Sequence, residues 1–219
     1  MATATESTPT PCTATEANRS AHGTSHVGRR ENNEDSFRVC DDIGLYLVAD
    51  GMGGHEGGEV ASKVVADTVA EFVANATTAV TIGADDDVAR GRRRLSQAIA
   101  LARDEIGRRA VGELAEMGTT LAALLMRDRR AIVAHVGDSR VYRLRAGFLE
   151  QLTKDHSFVA ELRAAAVPDL MASLTDDSSA MVTRCIALDG TAHPELIGHR
   201  ARPGTGFSLC RDQHTPVRP

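Results

Sequence analysis

An α+β domain, with helices layered on antiparallel strands, is the fold class that this 219-residue sequence predicts. Three observations lead there. Two helical periodicities lie together between residues 60 and 110. Four short apolar-rich strands then follow one another from residue 121 to 152, joined by turns of a few residues. Nowhere do single strands alternate with helices, as a doubly wound parallel sheet requires. The chain is long enough for one domain with its own core. With five Phe, two Tyr and no Trp, that core must be built from Ala, Val, Leu and Ile.

The elements justify this in order. Residues 1–20 hold six Thr, four Ala, two Pro and two Ser, with almost nothing that can pack, so residues 1–22 read as a disordered leader ahead of one domain over 23–219. Ser36–Cys40 and Leu45–Ala49 are strand-like runs around the turn cluster Asp41-Asp42-Ile43-Gly44. A glycine-rich loop follows, Asp50-Gly51-Met52-Gly53-Gly54-His55-Glu56-Gly57-Gly58. Beyond it Val60/Ala61, Val64/Val65, Thr68/Val69 and Phe72/Val73 recur every four residues, one stripe of an amphipathic helix whose other face carries Lys63, Asp67 and Glu71. A second helix is expected over 87–110, with acidic residues at its start and Leu95, Ile99, Ala102 and Ile106 as its stripe. Leu121–Met126, Ala131–Val136, Arg140–Arg145 and Phe148–Leu152 read as four consecutive antiparallel neighbours, with Gly137-Asp138-Ser139 as a tight reversal between the second and third. Ser157–Ala166 is helical and ends before Pro168; 169–180 reads as loop.

Composition excludes several functions. With 25 Lys+Arg against 30 Asp+Glu, the net charge of −5 leaves no basic stripe for phosphate backbones, so nucleic acid is not an expected partner. Arg90–Arg94 reads as a solvated helix face. No apolar run approaches the roughly 20 residues of a membrane span, and no secretory signal opens the sequence, so a cytoplasmic location is expected. Cys12, Cys40, Cys185 and Cys210 form no C-x-x-C pair and read as reduced thiols. His135, inside an apolar run, reads as a core histidine.

Three carboxylate-bearing turns, each at a strand end, carry the chemistry. Asp50 closes an apolar strand and runs straight into glycines, which let backbone carbonyls crowd a ligand. Carboxylate with carbonyl oxygen suits Mg²⁺, Mn²⁺ or Ca²⁺ rather than a soft metal. Upstream, Arg29-Arg30-Glu31-Asn32-Asn33-Glu34-Asp35 offers Glu34 or Asp35 to the same site and a planar guanidinium to a phosphate. Downstream, Asp138 stands in the third turn. Singly, each also reads as an ordinary turn; together they stand out in a chain that lacks a Walker A loop, a nucleophile elbow and a cysteine nucleophile motif.

The strings Asn32-Asn33-Glu34-Asp35-Ser36, Val48-Ala49-Asp50-Gly51-Met52-Gly53-Gly54-His55, Gly58-Glu59-Val60-Ala61-Ser62, Gly118-Thr119-Thr120, Gly137-Asp138-Ser139-Arg140 and Thr153-Lys154-Asp155-His156-Ser157 resemble, in order, the signatures of bacterial PP2C-type, metal-dependent Ser/Thr protein phosphatases (the PPM family). The resemblance implies an α-β-β-α sandwich of two antiparallel sheets flanked by helices, with a two-metal centre of Mn²⁺ or Mg²⁺ at one edge and a third, weaker site. It implies that Asp50 bridges the metals, Gly51 offers its carbonyl, and Glu34 serves the second metal. Asp35 would orient water, Arg30 would grip the phosphate, Asp138 would hold the third ion, and Asp212 would be a later ligand. The reaction implied is hydrolysis of phosphoserine or phosphothreonine in proteins, targets of a bacterial Ser/Thr kinase, by metal-activated water. His55 is a candidate proton donor, since Met52 stands where some relatives carry histidine.

The pattern departs at the end. Cys210-Arg211-Asp212-Gln213 stands where the family reads Cys-Ser-Asp-Gly, and the family's final Asp-Asn pair has no counterpart before Pro219. The expectation is a fold incomplete at its C-terminus. A second reading follows, a catalytically weak relative that binds phosphoproteins.

Overall fold

The computed structural model describes residues 20–27, 32–53, 56–78, 87–127, 129–166, 181–189 and 193–211. The expected leader up to residue 19, the loop over 169–180, and Arg30, His55 and Asp212 all lie outside them.

Ten strands and three α-helices make the described fold: β1 (Asp35–Cys40), β2 (Leu45–Met52), α1 (Gly57–Thr78), α2 (Asp87–Arg109), β3 (Gly118–Thr119), β4 (Leu121–Arg127), β5 (Arg130–Val136), β6 (Arg140–Arg145), β7 (Phe148–Gln151), α3 (Phe158–Ala164), β8 (Ile186–Ala187), β9 (Glu195–Arg200) and β10 (Gly206–Cys210). The larger sheet has seven strands, ordered β8-β3-β2-β4-β5-β9 with β1 on β2; the smaller is β10-β6-β7. All strand pairs within both sheets are antiparallel.

Side-chain parity explains the layers. Leu121, Ala123 and Leu125 of β4 join Ile132, Ala134 and Val136 of β5 and Leu45, Leu47 and Ala49 of β2 in a core capped by α1 and α2. The alternate residues, Ala122, Leu124, Ala131 and Val133, pack with Val141, Leu152, Phe207 and Leu209 in a second core between the sheets. Strands buried on both faces must be apolar at every position, which is why β4 and β5 read as unbroken runs. Each fully buried Leu here contributes about 2 kcal/mol. The two predicted stripes are the buried ones: Ala61, Val65, Val69 and Val73 in α1, and Leu95, Ile99, Ala102 and Ile106 in α2.

One expectation fails. β5 and β6 are not antiparallel neighbours, and Gly137-Asp138-Ser139 is no hairpin turn: the chain leaves the large sheet at Val136 and enters the small one at Arg140. Gly137 has φ +99°, and a Cβ there would stand 2.6 Å from Thr120 Cγ2. A left-handed residue pressed against a neighbouring strand turns the chain out of its sheet instead of back along it. β3, β8, β9 and β10 were not predicted; they are two-residue pairings or half-exposed strands of mixed composition.

Among the described residues, no helix is long and apolar enough to cross a membrane, and Cys40, Cys185 and Cys210 are free thiols.

Candidate metal centre

The hairpin β1–β2 sets the geometry. Its turn pairs Cys40 with Leu45, and five residues further along each strand the same register sets Asp35 directly opposite Asp50. Cross-strand partners share a face. Asp50 has the parity of Tyr46 and Val48, which pack toward the small sheet, so both carboxylates stand at the end of the space between the sheets. Two like charges in direct opposition destabilise a strand pair unless a cation lies between them.

Glu34 adds a third carboxylate. The Gly51 N–H donates to the Glu34 carbonyl at 3.0 Å. The Glu34 side chain lies over the first turn of α1, where a Cβ on Gly58 would stand 2.8 Å from its Oε1. A helix N-terminus favours that negative charge. Gly51 and Gly58 meet backbone to backbone, and a Cβ on Gly51 would come within 1.9 Å of the Gly58 carbonyl oxygen. Only glycine fits there, so the loop and helix close tightly under the carboxylates. Asn33 Oδ1 accepts the Asp35 N–H at 3.1 Å, and Ser36 Oγ meets Ser62 Oγ at 3.1 Å, tying β1 to α1.

Asp50 is fastened from behind. Its N–H donates to Thr120 Oγ1 at 3.1 Å, and its carbonyl accepts from Thr119 Oγ1 and from the Thr120 N–H, each at 2.9 Å. Thr120 Oγ1 also meets Ser139 Oγ at 2.7 Å in the interior. The paired threonines thus connect Asp50 to the buried Asp138 turn. Arg140 continues the support: its Nε and Nη2 grip Asp155 Oδ1 and Oδ2 at 3.0 and 2.6 Å.

A residue that sequence reasoning gave no role completes the cluster. Arg211, just past β10, donates from Nη1 to Asp35 Oδ1 at 3.2 Å and lies 3.9 Å from Asp50 Oδ1. Its odd parity, shared with Phe207 and Leu209, aims it into the inter-sheet space; without β10 in hand, nothing local in the sequence announced that. The structure therefore brings Glu34, Asp35, Asp50 and Gly51 together, and links Asp138 to them through Thr120 and Ser139.

A second group has metal-ligand types but a different character. Ligand atoms of His135, His156 and Glu195 lie within 4.8 Å of one another, the two rings stacked at 4.6 Å. The Gly137 N–H donates to His156 Nδ1 at 3.1 Å, so the ring proton sits on Nε2 and points to Glu195 Oε1 at 3.2 Å. A metal on Nε2 would have to displace that proton while Nδ1 already accepts one. Arg184 stands 3.6 Å from the same Glu195 oxygen, a cation already in place. His135 is a core histidine, its Nε2 meeting the Lys154 carbonyl at 2.9 Å; its Nδ1 has no partner among the described residues. Burial pushes both histidines below their ordinary pKa. This cluster is a clamp: the His156 ring accepts the N–H of Gly137, and the His156 backbone N–H donates to the Gly137 carbonyl at 3.0 Å.

The first cluster consists only of oxygen donors, held in a cradle that a Cβ would fill, with a guanidinium beside two carboxylates. That donor set fits hard divalent cations. Two facing antiparallel sheets with such a cluster at one end define a sandwich protein with a candidate cation site at its edge. The chain belongs to the protein phosphatase 2C family, whose model matches residues 22–192. It is 37% identical over 190 residues to the serine/threonine protein phosphatase PstP of Mycobacterium tuberculosis, covering 84% of this chain and 34% of that one. With the serine/threonine phosphatase stp of Listeria monocytogenes it shares 30% identity over 195 residues, 87% of this chain and 75% of that one. The chain thus spans about a third of the mycobacterial relative's length and three quarters of the Listeria one's. A crystal structure of the Mycobacterium tuberculosis phosphatase PstP/Ppp matches with a TM-score of 0.69 at 34% identity, over 84% of this chain and 73% of that one. The catalytic domain of PstP in complex with two manganese ions matches at 0.66 and 34% identity, over 84% and 72%.

Proposed function

We propose that this chain is a metal-dependent protein Ser/Thr phosphatase acting through residues 23–219 as one unit. The observation that carries the reading is the register that sets Asp35 opposite Asp50, beside Glu34 and the Gly51–Gly58 contact. Supporting it are the family and the manganese reported for a similar catalytic domain. Asp50 and Glu34, with the Gly51 carbonyl, would hold Mn²⁺ or Mg²⁺; Asp138 and Asp212 would serve the remaining sites. When bound, such a pair supplies Lewis acidity that makes water nucleophilic near neutral pH.

The chain's own groups do the rest. Asp35 would accept a hydrogen bond from the attacking water and orient it for in-line approach to phosphorus. Arg30 would take the phosphoryl oxygens through its planar fork. Thr119 and Thr120 fix the Asp50 backbone, so the carboxylate would start from a preorganised position. The substrates would be phosphoserine and phosphothreonine proteins made by a bacterial Ser/Thr kinase, inside the cell, where the free thiols stay reduced.

The test is phosphate release from an aryl phosphate and from a phosphothreonine peptide, with and without Mn²⁺, for the chain and for Asp50→Asn. Mn²⁺-dependent release that Asp50→Asn abolishes is expected. Release that survives the substitution overturns the reading; phosphopeptide binding without release would favour the weak relative that only binds.

A further inference from the structure

The side chain that fills the carboxylate cluster is itself a cation. β10 sends Phe207 and Leu209 into the inter-sheet core, and the next odd residue, Arg211, follows them to the end of that layer. There the large sheet presents Asp35 and Asp50 in direct opposition. The guanidinium lies 3.2 Å from one and 3.9 Å from the other, and all three side chains are less than a fifth exposed.

We infer that Arg211, hydrogen-bonded to Asp35, is a resident counter-cation of this site that competes with a divalent ion for the Asp50 carboxylate. The inference rests on the reading of Asp50 as a cation-binding group. A monovalent guanidinium and a divalent ion cannot both lie against the same carboxylate oxygens without strong like-charge repulsion. The chain therefore has two states: one closed on Arg211, the other open to metal with the arginine swung out. Only the second binds the ion, so apparent affinity falls by the fraction of time the arginine is out, about ten- to a hundredfold for 10% to 1% open. In the closed state Arg211 also relieves the repulsion between Asp35 and Asp50. One residue thus supports the metal-free fold and opposes the loaded one.

That opposition of sign is the test. Mn²⁺ affinity is measured by titration calorimetry, and melting is followed in chelator and in saturating Mn²⁺, for the full chain, Arg211→Ala, Arg211→Gln and Asp50→Asn. Expected for both arginine variants are Mn²⁺ affinity tighter by about tenfold or more, a lower melting temperature in chelator, and a larger upward shift on adding Mn²⁺. Asp50→Asn should lose the binding. Equal or weaker Mn²⁺ affinity in the arginine variants overturns the inference while leaving the cation site standing. Absence of Mn²⁺ binding in the chain and in both variants overturns the cation site itself, and the inference with it. The glutamine variant keeps an amide N–H donor and part of the bulk without the charge, so a fold lost in Arg211→Ala alone still leaves the competition measurable.

Discussion

Two corners of the molecule collect side chains of the types that metals favour. At the β1–β2 end, Asp35 and Asp50 oppose each other beside Glu34 and meet the guanidinium of Arg211. At the β5–β6 crossover, His135, His156 and Glu195 crowd within 4.8 Å of one another. Residue types alone would favour the second, which has two imidazoles and a carboxylate. Proton placement reverses the choice. His156 has both nitrogens committed, one accepting from Gly137 and one donating to Glu195, whereas the carboxylates have only acceptors to offer. Where the protons lie, and not which ligand types are present, separates the two clusters.

The contrast breaks most visibly at Asp50. Asp50→Asn should lower Mn²⁺-dependent hydrolysis of an aryl phosphate by about a thousandfold, since several kcal/mol of charge stabilisation depend on that carboxylate. Removing the clamp should act on stability instead. His156→Ala strips Gly137 of its acceptor and leaves a cavity, at a cost of about 3 kcal/mol in urea unfolding. Thr120→Val joins the two corners: the Asp50 N–H and Ser139 Oγ both lose their partner, for about 2 kcal/mol in the same assay. Acid sharpens the difference further. Burial lowers the pKa of His135 and His156, so the unfolded chain takes up protons that the folded one refuses. Stability should fall as pH drops below about 6.5, by at most about 1.4 kcal/mol per pH unit for each group, and level off once the folded state also protonates. The groups facing these rings are Glu195, Asp155 and Arg184, and thermal melts between pH 7.5 and 5 measure the slope. Smallest of all is Arg38→Ala, which removes the half-exposed pair with Asp67 that ties β1 to α1; no more than about 1 kcal/mol should be lost, and less at high salt.

Much of this was written in the sequence, for identifiable reasons. The stripes of α1 and α2 and the unbroken runs of β4 and β5 are periodic because burial made them so. The opposition of Asp35 and Asp50 was within reach too. Once Cys40 and Leu45 are paired across the turn, the two aspartates follow by counting. Other features were not. β9, Glu195–Arg200, is half exposed and mixes Glu, His and Arg with Leu, Ile and Gly, so no alternation marks it. The change of sheet at Gly137 goes with a positive φ and with Thr120, against which any Cβ there would press, and no local pattern marks either. Arg211 acquired its place only through the pairing of Cys210 with Arg140, seventy residues away.

β4 and β5 belong to both cores at once: one face of each backs the helices, the other the small sheet. Neither layer can therefore melt alone, because loosening either one bares half of the same two strands. Amide hydrogen exchange should find β4 and β5 among the last protons to be traded for deuterium, opening only with the whole domain, while β7, exposed along its length, exchanges early.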